Sequence, residues 1–515
     1  MQHLPALLVL SLVVSPLAPA LADDQPDVAE VSIAELQAGY GQGEFTVTDI
    51  VRAYLARIES LDRDGPALNS VLTVNAGALE KAARLDEELA DGHSRGPLHG
   101  IPVLLKDNID TGDMPTTAGS KLLEGSIPPG DAFIVERLRE AGAVILGKNN
   151  LSEWANFHSS FSSSGWSRLG GQTHNPYDTT RNPCGSSSGS AVATSASLAA
   201  FTVGTETDGS IVCPAQASGI VGLKPTVGLV SRSGVIPISR SMDSPGPMTR
   251  TVSEAAAVLG VLAGTDPEDS ATGEADEHRS DDYTSYLDAD ALEGRRIGLY
   301  TKPMGVHYRV DALTHAAVEA LKGAGAEIVE VEQIAEQDVS ALALEVLLHE
   351  FRAGLDEYFS GLGDGAPVAD FDGLIEAIRD DPEETARFDR SRIFMASQRG
   401  DLDSELYRNA LLAMHQETRE NGIDRVMDEH GLDALVAPSG SPAWKTDLTL
   451  GDNLLISSST PAARAGYPVI TVPMGLIDGL PVGLSFFGRA WSEPELLAMA
   501  YAYEQATDHR RPPRL

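Results

Sequence analysis

Two clusters of very small residues, each fused to an apolar stretch, constrain this chain more than any other feature. Cys184-Gly185-Ser186-Ser187-Ser188-Gly189-Ser190 opens an apolar helical stretch running to Ala199, and the β-rich run Ala200-Phe201-Thr202-Val203 feeds into Gly204-Thr205-Glu206-Thr207-Asp208-Gly209-Ser210. Glycine and serine at this density let backbone N–H groups come within bonding distance of a ligand. The competing interpretation is a flexible Ser/Gly linker, but linkers do not usually run straight into a helix and a strand. The pattern predicts two ligand-facing loops hung on regular structure.

The flanking sequence says which regular structure. Short apolar runs punctuated by glycine and proline recur at Ile101–Leu105, Ala143–Gly147 and Ala200–Gly204, with helical stretches at Ala132–Ala141 and Ser190–Ala199 between them. Such alternation argues for an α/β sheet covered by helices. Residues 30–92 read as helical: Ser32-x-x-Glu35 forms a capping box, Thr46 to Asp49 opens a second helix with Ile50, Tyr54, Leu55 and Ile58 on one face, and Leu79, Ala82, Leu85 and Leu89 mark a third. The acidic stretch 266–283 reads as a surface loop or linker. A strand-helix-strand unit follows over Arg296–Val331, then a charged helical insertion over about 335–431. Strands return at Leu435–Ala437, Val469–Val472 and Val482–Phe487. Strands on both sides of the insertion predict one domain over 23–515, although 515 residues would allow about three by length alone.

Charge removes several functions. Lysine plus arginine number 38 against 75 aspartates and glutamates, a formal charge of −37. Nucleic acid needs Lys and Arg against its phosphates and is excluded as a partner. At the start, the apolar run from Leu4 to about Leu17 precedes Ala18-Pro19-Ala20-Leu21-Ala22. It reads as a secretory signal over 1–22 with an Ala-x-Ala cleavage site, which predicts a periplasmic or secreted protein with no membrane attachment once the signal is removed. The run is shorter than the ~20 residues an uncleaved anchor needs. Cys184 and Cys213 are too few for a disulfide scaffold or a zinc ribbon. They can pair in an oxidising compartment; the expectation here is two small buried thiols, because spacing alone shows no geometry.

Candidate nucleophiles and bases follow. Gly185-Ser186-Ser187-Ser188-Gly189 matches the G-x-S-x-G elbow formally, which would make Ser187 a nucleophile, but the elbow must follow a strand and here follows the turn-rich Asn175–Pro183. Only eight lysines occur. Lys106 ends the run Val103-Leu104-Leu105, where loss of water lowers an ammonium pKa and yields a neutral base; the alternative is a lysine whose stem lies along the strand while its ammonium reaches solvent. His349-Glu350 lacks the second histidine of a zinc-protease motif.

Several motifs occur together and in order: Gly100-Ile101-Pro102 through Lys106-Asp107-Asn108, Gly147-Lys148-Asn149-Asn150-Leu151-Ser152-Glu153, the two Ser/Gly segments, Gly222-Leu223-Lys224-Pro225-Thr226, and Pro468 to Gly488. In these the chain resembles the amidase signature enzymes over nearly its whole length. The resemblance implies an α/β amidase signature fold, a single domain with a central mixed twisted sheet covered by helices on both faces. It implies a Ser-Ser-Lys triad in which Ser210 attacks, Ser186 bridges and Lys106 is the base, with a cis Gly185–Ser186 peptide bond. The backbone N–H groups of Thr207, Asp208, Gly209 and Ser210 are the implied oxyanion hole, and no cofactor or metal is implied. Lys148 and Lys224 match no catalytic position of the family and are read as structural.

Glu206, Asp208 and Val212 depart from the family's usual residues around the nucleophile. Together with Pro183-Cys184-Gly185-Ser186, they make the chain similar to exported bacterial peptide amidases, which release ammonia from C-terminal peptide amides. The implied partner is a small-molecule or short-peptide amide, and no oligomeric state is implied. Three alternatives stay open: an amidase of small aliphatic or aryl amides, an amidotransferase component that acts on charged tRNA, and an exported binding protein without catalysis. The export signal and the charge of −37 oppose the tRNA version.

Overall fold

The apolar runs become the middle of one long sheet. The computed structural model describes residues 26–515, so the predicted signal segment 1–22 lies outside the described residues. In chain order the strands are β1 (Val71–Val74), β2 (Pro102–Lys106), β3 (Val144–Asn149), β4 (Trp166–Ser167), β5 (Gly171–Gln172), β6 (Phe201–Glu206), β7 (Val221–Lys224), β8 (Ser244–Thr249), β9 (Arg296–Tyr300), β10 (Glu327–Val331), β11 (Ala434–Pro438), β12 (Val469–Ile477) and β13 (Leu480–Phe487). β4 and β5 form a separate hairpin; the other strands make an 11-stranded sheet in the order β1-β3-β2-β6-β8-β7-β12-β13-β11-β9-β10. β3, β2 and β6 run parallel side by side, β11, β9 and β10 form a second parallel group, and the strands between are antiparallel. The sheet is mixed, as the resemblance implied. β2, β3 and β6 are buried along their whole length, which is why they read as continuous apolar runs rather than alternating ones.

Helix starts match the sequence where side chains can cap them. The Ser32 hydroxyl accepts from the Glu35 amide at 3.2 Å while Glu35 accepts from the Ser32 amide at 2.8 Å, and Thr46 pairs with Asp49 in the same way. The third amino-terminal helix, Ala78–Ala90, buries Ala78, Ala82 and Leu85, whereas Leu79 points outward and is exposed. The 30–92 region is not wholly helical, because β1 lies within it at the sheet edge.

The stretch 266–283 is not a linker. Asp266 accepts from the Ser231 hydroxyl at 2.6 Å, Asp269 pairs with Arg232, and Tyr283 is buried. Its acidic residues look solvated in sequence because their partners lie on a distant loop. The insertion is helical as expected, with helices Ser340–Gly361, Phe371–Asp380, Ser391–Ala396, Glu405–Thr418 and Asp424–His430 between β10 and β11. Leu348, Phe351 and Phe371 from the insertion share one apolar cluster with Trp154, Ile236 and Ile238, so the insertion is seated on loops that leave β3 and β7.

Candidate active site

The carboxyl ends of the parallel strands β2 and β6 bring the predicted residues together. Lys106 is the last residue of β2, flanked on both sides by parallel neighbours, and is 0% exposed. Its Nζ lies 2.8 Å from Ser186 Oγ, 2.8 Å from Thr205 Oγ1 and 3.1 Å from the Thr205 carbonyl. Burial lowers its pKa to about 7, against the opposing pull of Asp243 and Glu206. A neutral amine has two N–H bonds and one lone pair: the two Thr205 oxygens take the first, which leaves the lone pair for the Ser186 hydroxyl. Asn108 Nδ2 donates to Thr205 Oγ1 at 3.1 Å and fixes that hydroxyl. Snorkelling to solvent, the alternative for Lys106, does not occur.

Ser186 is fully buried, and the Gly185–Ser186 peptide bond is cis. The Ser152 amide donates to the Ser186 carbonyl at 3.1 Å, and the Ser187 amide donates to the Ser210 carbonyl, also at 3.1 Å. These bonds lay the bridging loop against the Ser210 turn. Ser187 itself is occupied structurally, donating to the Thr205 carbonyl at 3.0 Å and accepting from the Thr205 amide at 3.2 Å. It starts the helix Ser188–Ser195 from a loop rather than from a strand, as the missing elbow context predicted.

Ser210 lies in the turn between β6 and the helix Val212–Ala217 and is 9% exposed. Three side chains pin this turn. Glu206 Oε2 accepts from the amides of Ile211 and Val212 at 2.7 and 2.9 Å, Asp243 Oδ1 accepts from the Thr207 hydroxyl at 2.5 Å, and Asp208 Oδ1 accepts from the Ser459 hydroxyl at 2.7 Å. Burial raises the pKa of both Glu206 and Asp243, while their hydrogen-bond donors hold each down. Asp243 also takes the Ile238 and Ser239 amides, both at 2.8 Å.

The cysteine expectation is overturned. Cys184 and Cys213 form a disulfide with Cα atoms 5.9 Å apart, because the loop before Ser186 and the helix after Ser210 pack against each other. Lys148 and Lys224 are structural, as read. Lys148 Nζ donates to Thr116 Oγ1 at 2.9 Å and sits 3.4 Å from Asp107. Lys224 is buried with its pKa lowered to about 8 by desolvation, opposed by the nearby carboxylates Glu206 and Glu493. Sequence reasoning missed Asp243 and Ser459, which reach the turn from distant parts of the chain. Thr205 and Asn108 stood inside quoted motifs, and only the fold shows which atom they hold. Among the described residues, no group of three or more His, Cys, Asp or Glu side chains is arranged to hold a metal ion, and no helix is long and apolar enough to cross a membrane.

Comparison with known proteins agrees with this geometry. The solved structure of the native peptide amidase of Stenotrophomonas maltophilia superimposes with a TM-score of 0.90 at 49% identity, covering 95% of this chain and 99% of that one. An Arabidopsis thaliana protein described as a probable amidase is 39% identical over 498 residues, 95% of this chain and 92% of its own length. A glutamyl-tRNA(Gln) amidotransferase subunit of Thermoanaerobacter pseudethanolicus is 34% identical over 500 residues, 95% of this chain and 99% of its own. The family model described as Amidase matches residues 49–497, and the chain belongs to that family.

Proposed function

We propose that this amidase-family hydrolase cleaves C-terminal peptide amides through an acyl-enzyme on Ser210. The observation that carries the reading is the 2.8 Å contact between Ser186 Oγ and the fully buried Nζ of Lys106. A lysine with a pKa near 7 is a base at neutral pH. It takes the Ser186 proton as Ser186 takes the Ser210 proton, and Ser210 Oγ bonds to the amide carbon. The oxyanion that forms is met by the N–H groups of Thr207, Asp208, Gly209 and Ser210. The relay then runs backward, the C–N bond breaks, and the departing nitrogen leaves protonated as ammonia. Water, deprotonated by the same relay, hydrolyses the Ser210 ester and frees the peptide acid.

A peptide amide as substrate is supported by the 49% identity to the Stenotrophomonas maltophilia peptide amidase and by Glu206, Asp208 and Val212, the positions at which the sequence resembles exported peptide amidases. Charged tRNA is disfavoured by the formal charge of −37. Export is supported by the apolar run ending in Ala20-Leu21-Ala22 and agrees with a disulfide, which persists in oxidising compartments.

The test is ammonia release from a C-terminally amidated dipeptide and from a small aliphatic amide, with Ser210→Ala alongside. Faster turnover of the dipeptide amide and a folded, inactive variant are expected. Activity retained in purified Ser210→Ala would refute the mechanism, and turnover of the small amide alone would refute the substrate.

A further inference from the structure

The turn that carries Ser210 is fastened from the protein interior by Asp243, and on its outer side by a segment far away in sequence, since Ser459 and Asp208 are separated by 251 positions. Asp208 is exposed, yet its Oδ1 receives two hydroxyls, Ser459 Oγ at 2.7 Å and Thr460 Oγ1 at 3.3 Å. Ser459 is buried, and its Oγ lies 3.1 Å from Ser457 Oγ. Ser457 in turn bridges to Gly440, just beyond β11. The approach is close: Gly209 has φ +82°, and a Cβ there would lie 3.0 Å from Ser459 Oγ. Glycine at 209 thus serves both the left-handed backbone and the nearness of Ser459.

An exposed carboxylate beside a turn whose amides must meet an oxyanion is a liability by charge alone, because it repels the developing negative charge. Its presence calls for a positional role, and the two hydroxyls supply one. We propose that Asp208 and Ser459 form an outer brace that positions the Thr207–Ser210 amides, so that Ser459 is a positioning residue for the acyl transfer at Ser210. This inference rests on that proposed chemistry. Amides aimed at the oxyanion act only in the transition state, so loosening them lowers kcat and spares KM. Both partners act through one hydrogen bond, so their losses do not multiply.

The experiment is a double-mutant cycle with Asp208→Ala and Ser459→Ala, assayed on the dipeptide amide and on the small aliphatic amide. Each single variant is expected to lose about tenfold or more in kcat, with KM changed by less than about threefold, and the double variant to be no slower than the slower single. Asp208→Asn keeps an acceptor for Ser459 and is expected to recover most of the rate lost in Asp208→Ala. It also serves if Ser459→Ala fails to fold. Multiplicative losses, a change confined to KM, or equal rates for Asp208→Asn and Asp208→Ala would each overturn the brace. Failure of the mechanism itself is read separately, as activity surviving in Ser210→Ala.

Discussion

The disulfide from Cys184 to Cys213 ties the loop that presents Ser186 to the helix that follows Ser210. Both candidate serines lie inside the segment it closes. Between them, the Ser187 amide and the Ser210 carbonyl add a backbone bond of 3.1 Å. The covalent link therefore restrains the relative position of the two hydroxyls that a proton must cross.

A sequence separation of 29 corresponds to about 3–4 kcal/mol of stabilisation in the chain-entropy description of a cross-link. The variant Cys184→Ser/Cys213→Ser is expected to unfold at lower denaturant by that amount. It should also lose activity on warming before the wild type does. Denaturant titrations with coincident midpoints would show that the loop and helix hold together without the bond.

Lys106 gives the reaction its pH dependence. With the amine at about pKa 7, protons occupy it at lower pH and no lone pair faces Ser186. kcat/KM is therefore expected to rise with pH through about 7 and to fall about tenfold per pH unit well below it. Lys106→Ala should cost about 10²–10⁴-fold in rate, the usual worth of a positioned general base. A wild-type profile that is flat through neutral pH would remove Lys106 from the proton path.

Much of this arrangement was legible because burial leaves a mark in sequence. β2, β3 and β6 are buried on both faces, so their residues form apolar runs closed by glycine or lysine. β8 hid itself: Ser244-Pro245-Gly246-Pro247-Met248-Thr249 contains two prolines and a glycine, which read as a turn. It is a strand nonetheless, antiparallel to β6 and β7. Lys106, Ser186 and Ser210 came from motif order, whereas the side chains that hold their surroundings did not. Asp243 and Ser459 are ordinary residues in sequence, and their roles exist only once distant loops meet. The disulfide was invisible for the same reason, since a spacing of 29 residues fixes no distance.

Ser187 separates this site from an elbow-type hydrolase. Its hydroxyl spans the Thr205 amide and carbonyl at 3.2 and 3.0 Å, so it stabilises the strand end that also holds Lys106. Ser187→Ala is expected to cost about 1–3 kcal/mol through the unpaired Thr205 groups while leaving measurable turnover. Complete loss of activity with unchanged stability would instead make Ser187 a nucleophile.

Arg390 anchors the helical insertion to the loop beside the site. It is buried, donates to both Glu153 carboxylate oxygens at 3.2 Å and to Glu384 at 2.9 Å, and Arg168 also pairs with Glu384. Glu153 follows Ser152, whose amide holds the Ser186 carbonyl. Burial carries the Glu153 carboxyl up to about 8 even with Arg390 beside it. The folded protein therefore holds a proton there that the unfolded chain has released, and this group's contribution to stability is lost as pH rises from about 4.5 through about 8. Glu153→Gln is expected to flatten that decline in Tm. Arg390→Leu removes the cation from two buried acids and is expected to destabilise the fold by about 3–5 kcal/mol at neutral pH. Equal melting curves for Arg390→Leu and wild type would mean that the apolar cluster around Phe351 and Trp154 seats the insertion without this ionic contact.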